Sequence, residues 1–218
     1  MMEREIEVKL LAQSVELLTE IEKRTSLAGL PLTPAAQRLQ EDTYFDTEDF
    51  ALLRAGFSLR IRRRDDVVQA TLKSVPGRDR RTLLRDRTEV EAVLDPGAAP
   101  EIPPGEIRDF VARIAGDRPL SPVVRIRTKR HLFRLGPQPA AVLCADRAWI
   151  LRGDGGEPVD GFLEVEVEDK GGGSAVLERA GNELMDEYGL RPSSLSKFER
   201  GLAALGLLER ARGDGGER

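Results

Sequence analysis

Residues 5–9 read Glu5-Ile6-Glu7-Val8-Lys9, and this strict alternation of charged and apolar side chains limits the fold more than any other stretch. At a side-chain period of two, Glu5, Glu7 and Lys9 share one face of a β-strand, while Ile6, Val8 and Leu10 share the other. The pattern returns at Arg60 and Arg62, Thr71 and Lys73, and Arg87, Glu89 and Glu91. It returns again at Arg125, Arg127 and Lys129 and at Glu164, Glu166 and Glu168. A sheet striped this way either shows its charges to bulk water or curls around them.

Eight strands are predicted near residues 2–11, 39–45, 57–64, 67–74, 84–94, 123–134, 140–151 and 160–169. Helices are predicted between them. One spans 15–28, with Ser14 as N-cap and Gly29 as its stop. A short one lies in 47–54, another carries Ile107, Phe110, Val111 and Ile114, and a fourth follows Ser174. The last opens on Ser196-Lys197-Phe198-Glu199, which has capping-box spacing. Asp65-Asp66 and Gly153-Asp154-Gly155-Gly156 are hairpin signals. The Pro/Gly stretch 95–105 connects halves that carry matching charged strands, so it marks no domain boundary. One domain over 1–208 is expected, with a disordered Gly-, Arg- and Glu-rich tail over 209–218.

The apolar faces need cover, and the helices supply it. An open sheet with its charges outward is the commoner antiparallel arrangement. Sign clustering favours the alternative. Arg60 with Arg62, and Arg125 with Arg127 and Lys129, concentrate positive charge along single strands, whereas Glu5 with Glu7 and Glu164 with Glu166 concentrate negative charge. Such segregation is unfavourable unless counter-charges or a ligand face it. A closed barrel of about eight strands leaves room for side chains or one small ligand. The expected fold class is therefore α+β: an eight-stranded antiparallel β-barrel with helices packed outside. Its lining would set Lys9, Arg60, Arg62, Lys73, Arg87, Arg125, Arg127 and Lys129 against Glu5, Glu7, Glu89, Glu91, Asp146, Glu164 and Glu166. Carboxylates of this kind hold hard divalent cations, and arginines fork onto phosphate oxygens.

Composition removes other classes. A net charge of −4 gives no global attraction to nucleic acid or acidic membranes. The Arg62-Arg63-Arg64 and Arg78-Asp79-Arg80-Arg81 runs lack interleaved aromatics, so no nucleic-acid partner is expected. One histidine and one cysteine exclude multi-His zinc sites, Cys/His fingers and an internal disulfide. No apolar run approaches a membrane span, and the N-terminus is unlike a signal peptide, so a cytoplasmic location is expected. His131 and Trp149 are read as structural, Cys144 as a small core residue, and Phe50 and Phe57 as core.

Taken in order, these motifs resemble the CYTH domain family of the triphosphate tunnel metalloenzyme superfamily. Its Glu-x-Glu-x-Lys signature stands here as residues 5–9. Tyr44-Phe45-Asp46-Thr47, Leu52-Leu53-Arg54-Ala55-Gly56, Ser58-Leu59-Arg60-Ile61-Arg62 and Thr71-Leu72-Lys73 follow. Arg87-Thr88-Glu89-Val90-Glu91, Phe162-Leu163-Glu164-Val165-Glu166 and Ser196-Lys197-Phe198-Glu199 complete the series.

The resemblance implies a tunnel that binds a triphosphate with Mg²⁺ or Mn²⁺. It implies metal-side roles for Glu5, Glu7, Glu164 and Glu166, with Asp146 as a fifth ligand, and places Glu5, Glu7 and Lys9 at the catalytic centre. Lys9, Arg60, Arg62, Lys73, Arg87, Arg125, Arg127 and Lys129 would contact phosphates. Lys197 would reach in from the last helix, where an anion must offset the unfavourable helix-end field. Glu89 and Glu91 would bind a second metal or align the basic side chains. The expected activity is metal-dependent hydrolysis of a triphosphate, inorganic triphosphate foremost, by a monomer or homodimer. Adenylate cyclisation, thiamine triphosphate hydrolysis and non-catalytic polyphosphate or nucleotide binding stay open as alternatives on the same scaffold. The loop at Pro76-Gly77-Arg78 either covers one tunnel mouth or is a solvated turn.

Overall fold

The computed structural model describes residues 3–75, 83–96, 102, 104–152 and 156–213. Along the chain run β1 (Glu3–Ala12), α1 (Val15–Glu22), β2 (Ser26–Leu27), β3 (Leu30–Asp46), α2 (Ala51–Arg54), β4 (Phe57–Arg64), β5 (Val67–Ser74) and β6 (Leu84–Leu94). Then follow α3 (Glu106–Ala115), β7 (Ser121–Leu135), β8 (Ala141–Leu151), β9 (Pro158–Asp169), α4 (Ser174–Tyr188), β10 (Arg191–Pro192), α5 (Lys197–Ala204) and α6 (Leu208–Arg212).

The strands pair antiparallel in the order β1-β6-β5-β4-β3-β7-β8-β9, and β9 returns to β1. β1 closes the ring because its first half pairs with β6 (Glu5↔Arg87) and its second half with β9 (Lys9↔Glu166). The sheet therefore curls, and it is an eight-stranded barrel.

Two helix-covered cores lie outside the ring. Val8 and Leu10 of β1, Leu143 and Ala145 of β8, and Val165 and Val167 of β9 pack under α1 and α4. Leu59 and Ile61 of β4, Val68, Ala70 and Leu72 of β5 and Val90 of β6 pack under α3, through Ile107, Val111 and Ala115. Fully burying such a side chain contributes roughly 1.5–3 kcal/mol, so covering the apolar stripe drives the charged stripe inward. Phe57 meets Phe110 edge-on at 4.6 Å and Phe50 is buried, as expected of core aromatics.

The third core differs. Phe198 and Leu202 of α5 pack on Tyr44, Val124, Ile126, Ala148 and Ile150, which lie on the inward faces of β3, β7 and β8. Helix α5 thus sits across one end of the barrel. It comes this close because residue 201 is glycine: a Cβ there would lie 2.2 Å from Val124 Cγ1. Its start is the expected capping box, with Ser196 Oγ accepting from Glu199 N–H and Glu199 accepting from Ser196 N–H.

Three elements depart from the sequence reading. Helix α1 ends at Glu22, well before Gly29, because Ser26–Leu27 pairs with Leu30–Pro31 through a turn in which Ala28 and Gly29 both take positive φ. β3 accordingly starts at Leu30, not near 39, and crosses Pro34 with a bulge. Residues 208–212, mostly assigned to a disordered tail, form α6. Ala211 is fully buried, and Arg212 reaches Glu199 at 2.7 Å. The Asp65-Asp66 hairpin forms as expected, with Arg64 opposite Val67. The loop at Pro76-Gly77-Arg78, the turn residues 153–155 and much of the 95–105 stretch lie outside the described residues. No described helix is long and apolar enough to cross a membrane.

Candidate active site

The barrel encloses a cavity of about 300 Å³. Acids and bases both line it: β1 and β9 supply Glu7 and Glu166, while β4, β5 and β6 supply Arg60, Arg62, Lys73 and Arg87. Asp146 and Glu164 are fully buried beside Glu166.

The acidic side gathers around one ammonium. Lys197, at the first turn of α5, has its Nζ 2.6 Å from Glu166 and 3.0 Å from Asp146, and it also bonds Glu164. Lys9 Nζ lies 2.6 Å from Glu166 and 3.5 Å from Glu7. Oxygens of Asp146, Glu164 and Glu166 lie within 4.8 Å of one another, and all three residues are buried. Glu164 Oε1 has no hydrogen-bond partner. A buried, all-oxygen donor set with an unused lone pair suits a hard divalent cation. Burial opposes the charges on Glu166 and Lys197, and their neighbours overcome it. Lys9, Arg130 and Lys197 hold the Glu166 carboxyl well below its usual range, and Glu164, Glu166 and Asp146 hold the Lys197 ammonium well above its own.

Of the five expected metal carboxylates, the structure brings together Asp146, Glu164 and Glu166. Glu5 and Glu7 face the same cavity but engage cations: Glu5 takes Lys73 at 3.0 Å and Arg87 at 3.4 Å, and Glu7 takes Arg87. Glu89 lines the cavity 2.5 Å from Lys73, and Glu91 accepts from Gln69 at 2.6 Å near the rim. Glu89 thus meets a basic side chain, whereas Glu91 meets the neutral Gln69 and Thr71. Arg60, Arg62, Lys73, Arg87 and Lys197 all line the cavity as expected.

β7 is the correction. Arg125, Arg127 and Lys129 stand on its outer face, where Arg127 is 46% exposed and 3.6 Å from Glu41. The inner face carries Val124, Ile126, Thr128 and Arg130 instead. Apolar residues at 124 and 126 were expected to face outward toward helices. They face inward, because α5 fills the barrel end beside them. A shift of one residue at period two exchanges the faces of the whole strand.

The lumenal base of β7 is therefore Arg130. It forks onto Asp146 at 2.6 and 2.7 Å and also bonds Glu166. Following the inner-face parity from Val124 and Ile126 along an unbroken strand would have found it. Asp42 of β3 was also missed, although it lies two residues before Tyr44, which lines the cavity. It receives Arg62 bidentately at 2.7 and 2.9 Å and is fully buried. Cys144 faces the lumen, not the packed core. Burial, with Asp146 and Glu166 nearby, pushes its thiol up to about 12, so it stays protonated and unreactive. His131 lies outside the barrel, with Nδ1 3.2 Å from Glu22.

The placement of β7 makes a prediction. Arg127→Ala and Lys129→Ala should leave steady-state turnover within about twofold, since exposed surface charges contribute little. Arg130→Ala should lower it at least about tenfold, as loss of a charged hydrogen-bond partner does. Equal losses in all three variants would overturn the assignment.

A second prediction concerns acid. Burial alone would raise the Asp42 carboxyl, but Arg62 and Arg60 outweigh it and hold it at about 2, against an ordinary 3.8. A depressed carboxyl stabilises the fold above its unfolded pKa, and that contribution fades as pH falls through the folded value. Thermal melts should therefore show stability from this residue lost between about pH 4 and pH 2, and Asp42→Asn should flatten that limb.

A closed antiparallel barrel whose lumen sets carboxylates against arginines and lysines defines a class of charged-cavity proteins. The sequence model of the CYTH domain matches residues 3–202, and the chain belongs to the CYTH domain family. Among solved structures, a candidate adenylate cyclase from Bacillus halodurans is similar at 21% identity and TM-score 0.66, covering 91% of this chain and 97% of that one. HpAC1 from Hippeastrum, a candidate adenylyl cyclase described as revealing a dominant triphosphatase activity, is 20% identical. Its TM-score is 0.67, with 91% of this chain and 95% of that one covered. No curated protein matches the chain significantly.

Proposed function

We propose that the protein is a divalent-metal-dependent triphosphatase acting on inorganic triphosphate. One observation carries this reading: the buried cluster of Asp146, Glu164 and Glu166 reaches, through Glu166, a cavity that Arg60, Arg62, Lys73 and Arg87 also line. A pure anion binder gains nothing from carboxylates among its bases. A cation held by Asp146, Glu164 and Glu166 removes that conflict and lets one lumen hold a polyanion. The triphosphatase activity described for HpAC1, which shares this fold, agrees with hydrolysis.

In this reading Mg²⁺ or Mn²⁺ supplies charge neutralisation and water activation when bound. Arg60, Arg62, Lys73 and Arg87 fix the phosphate chain, and Arg130 and Lys9, which line the same cavity and pair with Glu166, meet its terminal oxygens. Water adds to the terminal phosphorus, the bridging P–O bond breaks, pyrophosphate leaves, and the water proton passes to solvent. Holding the chain in line for this attack is the main contribution of the protein side chains.

The test is a product assay on inorganic triphosphate, ATP and thiamine triphosphate, each with Mg²⁺, with Mn²⁺ and with chelator. Orthophosphate release from inorganic triphosphate that disappears with chelator is expected. Cyclic AMP as the main product, or binding without turnover, would overturn the proposal.

A further inference from the structure

A short segment leads from α4 through β10 into α5, and Ser193 ties it to the barrel. Ser193 is 4% exposed, and each of its polar groups has a partner. Its N–H donates to the Lys9 carbonyl of β1 at 2.9 Å. Its hydroxyl donates to the Leu195 carbonyl at 2.9 Å and accepts from Arg200 of α5 at 3.0 Å. Its carbonyl accepts from the Arg85 guanidinium of β6. Just before it, Arg191 and Pro192 pair with Leu11 and Leu10 of β1.

Arg85 stands on the inner face of β6, opposite Glu7 and two residues before Arg87. Unlike Arg87, it is not among the residues that line the cavity. Burial pushes its guanidinium below the usual range, and the nearby carboxylates of Glu7, Glu164 and Glu199 act against that. A half-buried guanidinium is held there by acids of the site on one side and by a backbone carbonyl of the incoming segment on the other.

The consequence falls on Lys197, four residues after Ser193. A lysine stem is flexible, so the place of its ammonium depends on where the helix begins. The capping box fixes which residue starts α5, but it joins Ser196 only to Glu199 and sets nothing relative to the barrel. Phe198 and Leu202 seat the helix by apolar contact, which is non-directional. The directional restraint at the lysine end is Ser193, bonded to β1 and to β6.

We propose that Arg85 is a positioning residue: by holding the Ser193 carbonyl it fixes the start of α5, and with it the place of the Lys197 ammonium among Asp146, Glu164 and Glu166. This role rests on the proposed triphosphatase reading and adds to it a residue outside the cavity. It joins the strand that carries Arg87 to the helix that carries Lys197. A displacement of about 1 Å at a reacting centre can cost on the order of 100-fold in rate, so a tie of this kind acts on turnover without touching substrate.

Steady-state kinetics on inorganic triphosphate with Mg²⁺, and hydrogen exchange of the full chain in chelator, test the role. Arg85→Met keeps an apolar stem and removes the donor. Its kcat should fall about tenfold while KM stays within about twofold, because Arg60, Arg62, Lys73 and Arg87 are untouched. Ser193→Ala, which changes no charge, should lower kcat in the same way by about threefold. In a Lys197→Met background with saturating divalent ion, Arg85→Met should cost less than about twofold more, since its effect passes through the lysine. Backbone amides of residues 193–200 should exchange faster in Arg85→Met, with the strand amides unchanged. A raised KM with unchanged kcat would assign Arg85 to phosphate binding and overturn the role. Additive losses in the double variant, exchange equal to wild type at 193–200, or faster exchange throughout the barrel would each overturn it as well. Absence of any wild-type turnover defeats the triphosphatase reading instead, and the exchange measurement then decides the hold of Arg85 on α5 separately.

Discussion

Glu166→Gln is expected to lower metal-dependent triphosphate turnover by at least about 100-fold, the scale of losing one group that stabilises transition-state charge. The barrel should stay folded. Glutamine keeps the volume of the side chain and can still accept from Lys197, which lies 2.6 Å away. What it loses is the negative charge that offsets Lys9, Arg130 and Lys197. Two readouts should therefore move in opposite senses. Affinity for the divalent cation, followed by calorimetry, should fall. Affinity for triphosphate in chelator should hold or rise, because the lumen becomes more positive. A variant that retains turnover within about threefold of wild type would remove Glu166 from the metal site and with it the proposed chemistry.

The second large effect concerns stability. Lys197→Met removes the ammonium that Asp146, Glu164 and Glu166 surround, leaving three buried carboxylates without their shared partner. Breaking a buried ion cluster by deleting one partner costs about 3–5 kcal/mol. Denaturant unfolding of the metal-free variant should show a loss of that order. Added Mg²⁺ or Mn²⁺ should restore much of it, because a cation bound only to the native state adds stability in proportion to the logarithm of its concentration over Kd. In wild type the same ion must compete with the ammonium, so its stabilising effect should be smaller. A variant whose stability does not respond to divalent ions would show that these acids hold no metal.

Much of this site could be read from side-chain alternation. On β1, β4, β6 and β9 the apolar partners of the charged residues are Val8, Leu59, Val90 and Val165, and all four pack into the two outer cores. Once their cover lay outside, Glu7, Arg60, Arg87 and Glu166 had one direction left. Lys197 was legible for a separate reason: a capping box fixes where a helix begins, so it fixes the lysine that opens α5.

β7 shows where this logic stops. Its apolar residues Val124 and Ile126 have the same spacing as those of β4, yet they point into the barrel. Alternation specifies that Arg125 and Arg127 share a face; it carries no term for which side of the sheet a covering helix occupies. Three carboxylates from two strands likewise converge only through the pairing of β8 with β9, which sets Asp146 opposite Glu164.

The local pattern alone determined that this chain forms charged-striped strands with one face to bury, because a period of two leaves each side chain only two directions. Closure of β1 onto both β6 and β9, and the seating of α5 against Val124 through Gly201, were decided by tertiary packing. Those contacts join residues far apart in sequence, and they turned Arg130 inward and Arg127 outward.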